Sequence, residues 1–181
     1  MARLSAALFA PALAGLVLFG QTPVPSRAQV PPEKDAGWQS DVGGLRHFTG
    51  LRCPDTIGPF FRIKVMKGDA VSLAGCIYTG RNGITAVLRK HLEATGRREA
   101  RTFSRNYKAA GFEPVKLSGA AASGISFRTR NWTPVSLYET FWYFTGARAD
   151  YTLWLSYSLP EQEEEVGPAI AAFTQALASQ N

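Results

Sequence analysis

The chain of 181 residues holds two cysteines, two histidines and two methionines, and these scarcities remove much of the chemistry open to a protein of its size. His47 and His91 lie far apart, with no cysteine or acid at metal-ligand spacing, whereas zinc needs three or four converging ligands. No metal or cofactor is expected. There is no G-x-S-x-G, and "VGGLRHFTG" (42–50) fits neither phosphate-cradling glycine pattern. Glycoside hydrolysis needs two carboxylates across one bond. Glu139 has no evident partner, and Asp41, Asp55, Asp69 and Asp150 sit in loop-like contexts. Solenoids and propellers drop out because no repeat of solenoid length is visible.

Long apolar runs are also lacking, with one exception. Leu4 to Phe19 is almost wholly apolar behind Arg3, Gln21 to Pro25 breaks it, and Ser26-Arg27-Ala28 resembles a cleavage site. Residues 1–28 are therefore expected to be a signal peptide cut after Ala28, with a retained N-terminal anchor as the alternative. The run is short for a span of about 20 residues. A periplasmic or secreted location follows, and the absence of a nucleic-acid partner with it. Removing Arg3 and Arg27 lowers the formal charge from +6 to +4. Export places Cys53 and Cys76 in an oxidising compartment, where a disulfide is expected. Closing that loop of about 24 residues stabilises a fold by roughly 3 kcal/mol in chain-entropy terms. Leu73-Ala74-Gly75-Cys76 spells a lipoprotein signal, but no second apolar run leads into it. Asn131-Trp132-Thr133 fits a glycosylation pattern that Pro134 weakens.

"QVPPEKDAG" (29–37) reads as a tether, extended here to residue 42, and residues 43–181 as one domain. In "PFFRIKV" (59–65), Phe61, Ile63 and Val65 alternate with Phe60, Arg62 and Lys64, which predicts a strand. Lys67-Gly68-Asp69 predicts the turn and residues 70–78 the return strand. Residues 84–90 fit a helical face as well as a strand; the preceding Asn82-Gly83 turn favours the strand. From Arg97 to Ala110 the period is helical, with Ala100, Phe103, Tyr107 and Ala110 on one face and Gly111 placed to end it. Residues 123–130 alternate again. Val166, Ile170, Phe173 and Leu177 form a closing helical stripe with acids Glu161 and Glu163–Glu165 at its start. Pro168 leaves its first residue open.

"YETFWYFTGARADYTLWLSYSL" (138–159) carries eight aromatics, and Gly146 to Ala149 is the natural bend of a hairpin. A slip of one residue exchanges the faces. Pairing Phe144 with Tyr151 puts Tyr138, Thr140, Trp142 and Phe144 beside Tyr151, Leu153, Leu155 and Tyr157. The slipped register would bury Glu139 among apolar side chains, which costs several kcal/mol. The first register is therefore expected. Its second face carries Phe141, Tyr143 and Trp154: either a helix covers them or they form an exposed aromatic patch.

Arg97, Arg101, Arg105 and Lys108 recur at intervals of four, four and three and share one helical face. A solvated face explains them; so does contact with an anion or a membrane surface. Candidate partners are an anionic lipid, a cell-wall component or an envelope protein. The order of elements in "GLRCPDTIGPFFRI" (50–63), "GITAVLRK" (83–90) and "DYTLWLSYSLPEQ" (150–162) resembles secreted proteobacterial proteins with a PsbP-like α/β/α sandwich. The resemblance covers residues 43–179. It implies an α+β domain, a single antiparallel sheet of about six strands covered by two or more helices. It also implies an accessory or binding role rather than catalysis, and carries no site residue with it. The expected function is thus a non-catalytic exported binding module. The alternative is a small secreted hydrolase or redox enzyme with Cys53 or Cys76 as nucleophile.

Overall fold

Alternation in short segments joined by tight turns has produced antiparallel pairing throughout. The computed structural model describes residues 37–129 and 136–180. The signal segment, the proposed cut after Ala28, Arg130 and Asn131 lie outside them. In chain order the strands of a small sheet are β1 (Trp38–Asp41), β2 (Gly44–His47) and β3 (Arg52–Pro54). A larger sheet begins with β4 (Thr56–Ile57), β5 (Phe60–Lys67), β6 (Ala74–Thr79) and β7 (Thr85–His91). Helix α1 (Gly96–Ala109) then carries the chain to the far edge. There β8 (Glu113–Val115), β9 (Ile125–Arg128), β10 (Ser136–Phe144) and β11 (Asp150–Leu159) step back inward. Helix α2 (Glu163–Ala178) follows. The order β4-β5-β6-β7-β11-β10-β9-β8 is two four-stranded meanders joined at the β7–β11 seam.

The domain is therefore α+β, but its strands form an eight-stranded and a three-stranded sheet rather than a single sheet of about six. The extra strands are short. A two-residue β4 and a three-residue β8 cannot display an alternation, which needs about four residues to be read. Residues 38–41, assigned to the tether, form β1. Trp38 there packs against the core, and its Nε1 donates to the Met66 carbonyl at 3.3 Å.

A bulge between Arg62 and Lys64 changes the faces of β5. Phe60 and Val65 point into the core, whereas Phe61 and Ile63, expected on one face with Val65, are 58% and 61% exposed. One inserted residue shifts the period of two, so no continuous alternation could have been correct. The return strand begins at Ala74 rather than at residue 70. Residues 69–72 form a turn in which the Asp69 carboxylate accepts from the Val71 and Ser72 amides.

Other expectations hold. Residues 85–91 are a strand, and α1 ends at the cap that its glycine predicts. Gly111 has φ 74°, its N–H donates to the Lys108 carbonyl and the next N–H to that of Tyr107. Phe112 packs on Tyr107, which completes this helix ending. Pro168 lies inside α2, and Glu163–Glu165 occupy its first turn. Phe144 pairs with Tyr151 and Tyr138 with Tyr157, the register that keeps Glu139 out of the main core.

Successive registers align side chains into rows across the sheet. One row, Val65–Cys76–Leu88–Leu153–Trp142, faces α2. Val166, Ala169, Phe173 and Leu177 of α2 close over this face, with Phe173 5.3 Å from Phe60 and 5.4 Å from Tyr78. Each large apolar side chain buried here contributes about 1.5–3 kcal/mol. The small sheet adds Leu51 and Cys53 to the same core, and the Cys53–Cys76 disulfide joins β3 to β6 with Cα atoms 6.2 Å apart. Gln180, just beyond α2, bonds the backbone of Arg52 through both ends of its amide. No helix among the described residues is long and apolar enough to cross a membrane.

Candidate functional site: helix α1 and the cleft beneath it

A second row, Ile77–Val87–Trp154–Phe141–Ile125, faces the opposite way, toward α1. The helix begins where Asp150, fully buried at the start of β11, accepts the Gly96 N–H through Oδ2 at 2.6 Å. Phe103 stacks on Phe141 with centroids 4.5 Å apart and meets Phe127 edge-on at 5.6 Å. Tyr107 packs on Phe127 at 5.0 Å, and its hydroxyl donates to Glu139 Oε2. Burial beneath the helix pushes the Glu139 carboxyl up to about 7. Aromatic pairs of this kind contribute about 0.5–1.5 kcal/mol each beyond their buried area.

The aromatic set singled out in the sequence is thus divided. Phe141 is buried under α1, Trp154 is half-buried there, and Tyr143 stands at 38% exposure. The helix, rather than a ligand, covers most of the rings. Trp154 nevertheless keeps one anomaly. Its indole meets Phe103 and Tyr107 at 67° and 90°, and its N–H, closed to bulk water, has no acceptor among the described residues.

The outward face of α1 is cationic. Arg97, Arg101, Arg105 and Lys108 are all exposed, and none joins the ion pairs found among the described residues. Arg98 pairs with Glu99 at 3.3 Å, and Arg128 on β9 pairs with Glu113. The row at 97, 101, 105 and 108 is left to solvent.

Where the cover of α1 ends, over the β7–β11 seam, lies a half-open cleft of about 220 Å³. Val87, Phe103, Phe141 and Trp154 make its apolar wall. Arg89, His91 and Thr152 from the sheet, with Glu99, Thr102 and Asn106 from the helix, supply its polar groups. His91 is not free to act: Nδ1 donates to the Val71 carbonyl at 2.7 Å, and Nε2 meets Thr152 Oγ1 at 2.8 Å. Arg89 donates to Asp69 Oδ2 at 2.9 Å. Burial raises the Asp69 carboxyl, but the Val71 and Ser72 hydrogen bonds and the Arg89 guanidinium hold it below the usual range. Arg105 reaches Thr102 Oγ1 at 3.4 Å, so one cation of the outward row stands at the mouth.

None of Arg89, Thr102 and Asn106 attracts notice in the sequence, because five separate segments must converge before the cleft exists. Thr102 and Asn106 did leave a signal: they are four apart, each next to a core aromatic of α1. A second hollow of about 210 Å³ lies between residues 117–121 and the start of α2. It is bordered by Glu163 and Glu164, and the Tyr157 hydroxyl there is already bonded to Thr140. Cys53 and Cys76 are joined, and no free cysteine stands among the described residues. No group of three metal-ligating side chains occurs among them either. Comparison with protein-family models, curated proteins and solved structures finds no match to this chain.

Proposed function

We propose that this chain is an exported, non-catalytic binding module that docks on anionic lipid headgroups through the outward face of α1. The observation that carries this reading is the row Arg97, Arg101, Arg105 and Lys108, exposed on a rigid helix and without carboxylate partners among the described residues. Cations held near a charged bilayer contribute about 1 kcal/mol each, and several acting together give measurable attachment. The inward face of α1 is occupied by the sheet, so attachment would be electrostatic rather than insertion of an apolar helical face. Export is favoured by the apolar leader sequence, and the disulfide is in keeping with an oxidising compartment. Helices on both sides of an antiparallel sheet also suit the PsbP-like sandwich. The thiol-enzyme alternative loses its nucleophile while Cys53 and Cys76 remain joined.

The test is sedimentation of the mature protein with phosphatidylcholine vesicles containing phosphatidylglycerol. Wild type should co-sediment, more weakly as salt rises. Arg101→Glu with Arg105→Glu should weaken attachment by about tenfold or more. Unchanged attachment of the double variant would overturn the reading, as would equal attachment to neutral vesicles. Retention on cell-wall fragments, or capture of one envelope protein, with no vesicle binding would replace the lipid by those partners.

A further inference from the structure

We infer that the cleft beneath α1 is a ligand site for a small planar carboxylate, an aromatic acid in chemical class. It is a different surface from the outward row of cations, and the inference does not rest on lipid docking. The apolar wall of Val87, Phe103, Phe141 and Trp154 suits a flat, unsaturated body. A half-open volume of about 220 Å³ suits a small ligand rather than a polymer.

The polar groups of the cleft set the charge of that ligand, because donors outnumber free acceptors. His91 has both nitrogens engaged, and the Glu99 charge is paired with Arg98 through Oε1. On the donor side, Arg89 spends one nitrogen on Asp69, while its other terminal nitrogen meets only the Met66 sulfur at 4.0 Å. Thr102 receives Arg105 and keeps its own hydroxyl proton to give. A hydrogen bond to a charged group contributes about 1.5–3 kcal/mol, so a site with surplus open donors selects a ligand that brings acceptors. A carboxylate brings two oxygens, and a guanidinium binds it through paired, charge-assisted hydrogen bonds. The apolar body therefore lies against the rings, and the acid group faces Arg89 and the Thr102–Asn106 side of α1.

The experiment titrates 2-naphthoate, and in parallel its uncharged analogue 2-naphthylmethanol, into the mature protein. Calorimetry measures affinity, and the indole N–H resonance of Trp154 reports the site. Saturable one-to-one binding of 2-naphthoate with a shift of that resonance is expected. Thr102→Trp and Asn106→Trp, which fill the cleft from α1, should each abolish it, and Asn106→Trp should leave vesicle attachment intact. Asn106 is exposed, so the second variant tests the site even if the first fails to fold. Arg89→Gln should weaken 2-naphthoate by about tenfold or more and leave 2-naphthylmethanol unchanged. No saturable binding, or binding that survives both filled variants, would overturn the site. An Arg89→Gln variant of unchanged affinity would overturn the assignment of a carboxylate.

Discussion

The two faces of the eight-stranded sheet are built from the same strands yet do different work. On one side α2 and the small sheet close over Tyr78, Leu88, Leu153 and Tyr157, all essentially inaccessible to water. On the other, α1 packs on β8, β9, β10 and β11, while Phe61 and Ile63 on β5 stay exposed. The centre of the closed face resembles ordinary protein interior, although the Arg62 Nε is buried there without a partner among the described residues and the second hollow opens beside the start of α2. Ser126, Thr140 and Tyr157 bond one another in a buried chain with spacings of 2.8 and 2.7 Å. The open face holds the half-buried carboxylate, the unpartnered indole N–H and the cleft. The aromatic wall and the cationic helix thus stand together where one helix covers only part of a face.

The contrast is most strongly tested by truncating the central ring of each helix. Phe173→Ala on α2 should destabilise by about 4 kcal/mol, since the ring is fully buried between Phe60 and Tyr78. Phe103→Ala on α1, half-buried, should cost about half as much. Chemical denaturation reads both, and equal losses would mean that the α1 face is as structural as the other. Next, replacing Cys53 and Cys76 together by alanine should lower stability by roughly 3 kcal/mol. Melting of the double variant measures this, and a negligible change would mean that the small sheet is held by packing alone.

Smaller effects sharpen the same comparison. Gly111→Ala forces a side chain into a left-handed backbone at φ 74° and should destabilise by about 1 kcal/mol, again by denaturation. Glu139 gives a change with pH. Its carboxyl is raised from 4.5 to about 7 when folded, so the unfolded chain releases the proton first as pH rises. Stability should therefore be greatest below about 4.5, fall as pH rises toward about 7, and level off above it. Because the group is partly exposed, the loss should be about 1 kcal/mol or less. Glu139→Gln should flatten that slope, and denaturation at pH 4 to 8 would check it; an unchanged slope assigns the titration elsewhere.

Expectations held where neighbours in sequence decide the outcome. The β10–β11 register followed from one acidic residue, because only one pairing spares Glu139 from the apolar face toward α2. The end of α1 followed from Gly111, and the disulfide from two sulfurs in a chain read as exported. The basic row needed nothing more than helical spacing. Other features were not legible because their cause lies far along the chain. The bulge in β5 is set by pairing with β6, β1 gains its partner only when residues 44–47 fold back, and β8 borrows its ladder from β9. Phe141 and Trp154 could be assigned neither to core nor to surface until the position of α1 was known.

The sequence by itself determined the periodic elements, the hairpin register and the cationic stripe, since each depends on side chains a few residues apart. Only the tertiary structure decided how eight strands order themselves, which half of one face a single helix covers, and that Arg89, Thr102 and Trp154 line one cleft. The physical reason is reach. Local spacing fixes direction along a helix or strand, but a cavity is the space left between elements, and its shape belongs to no one of them.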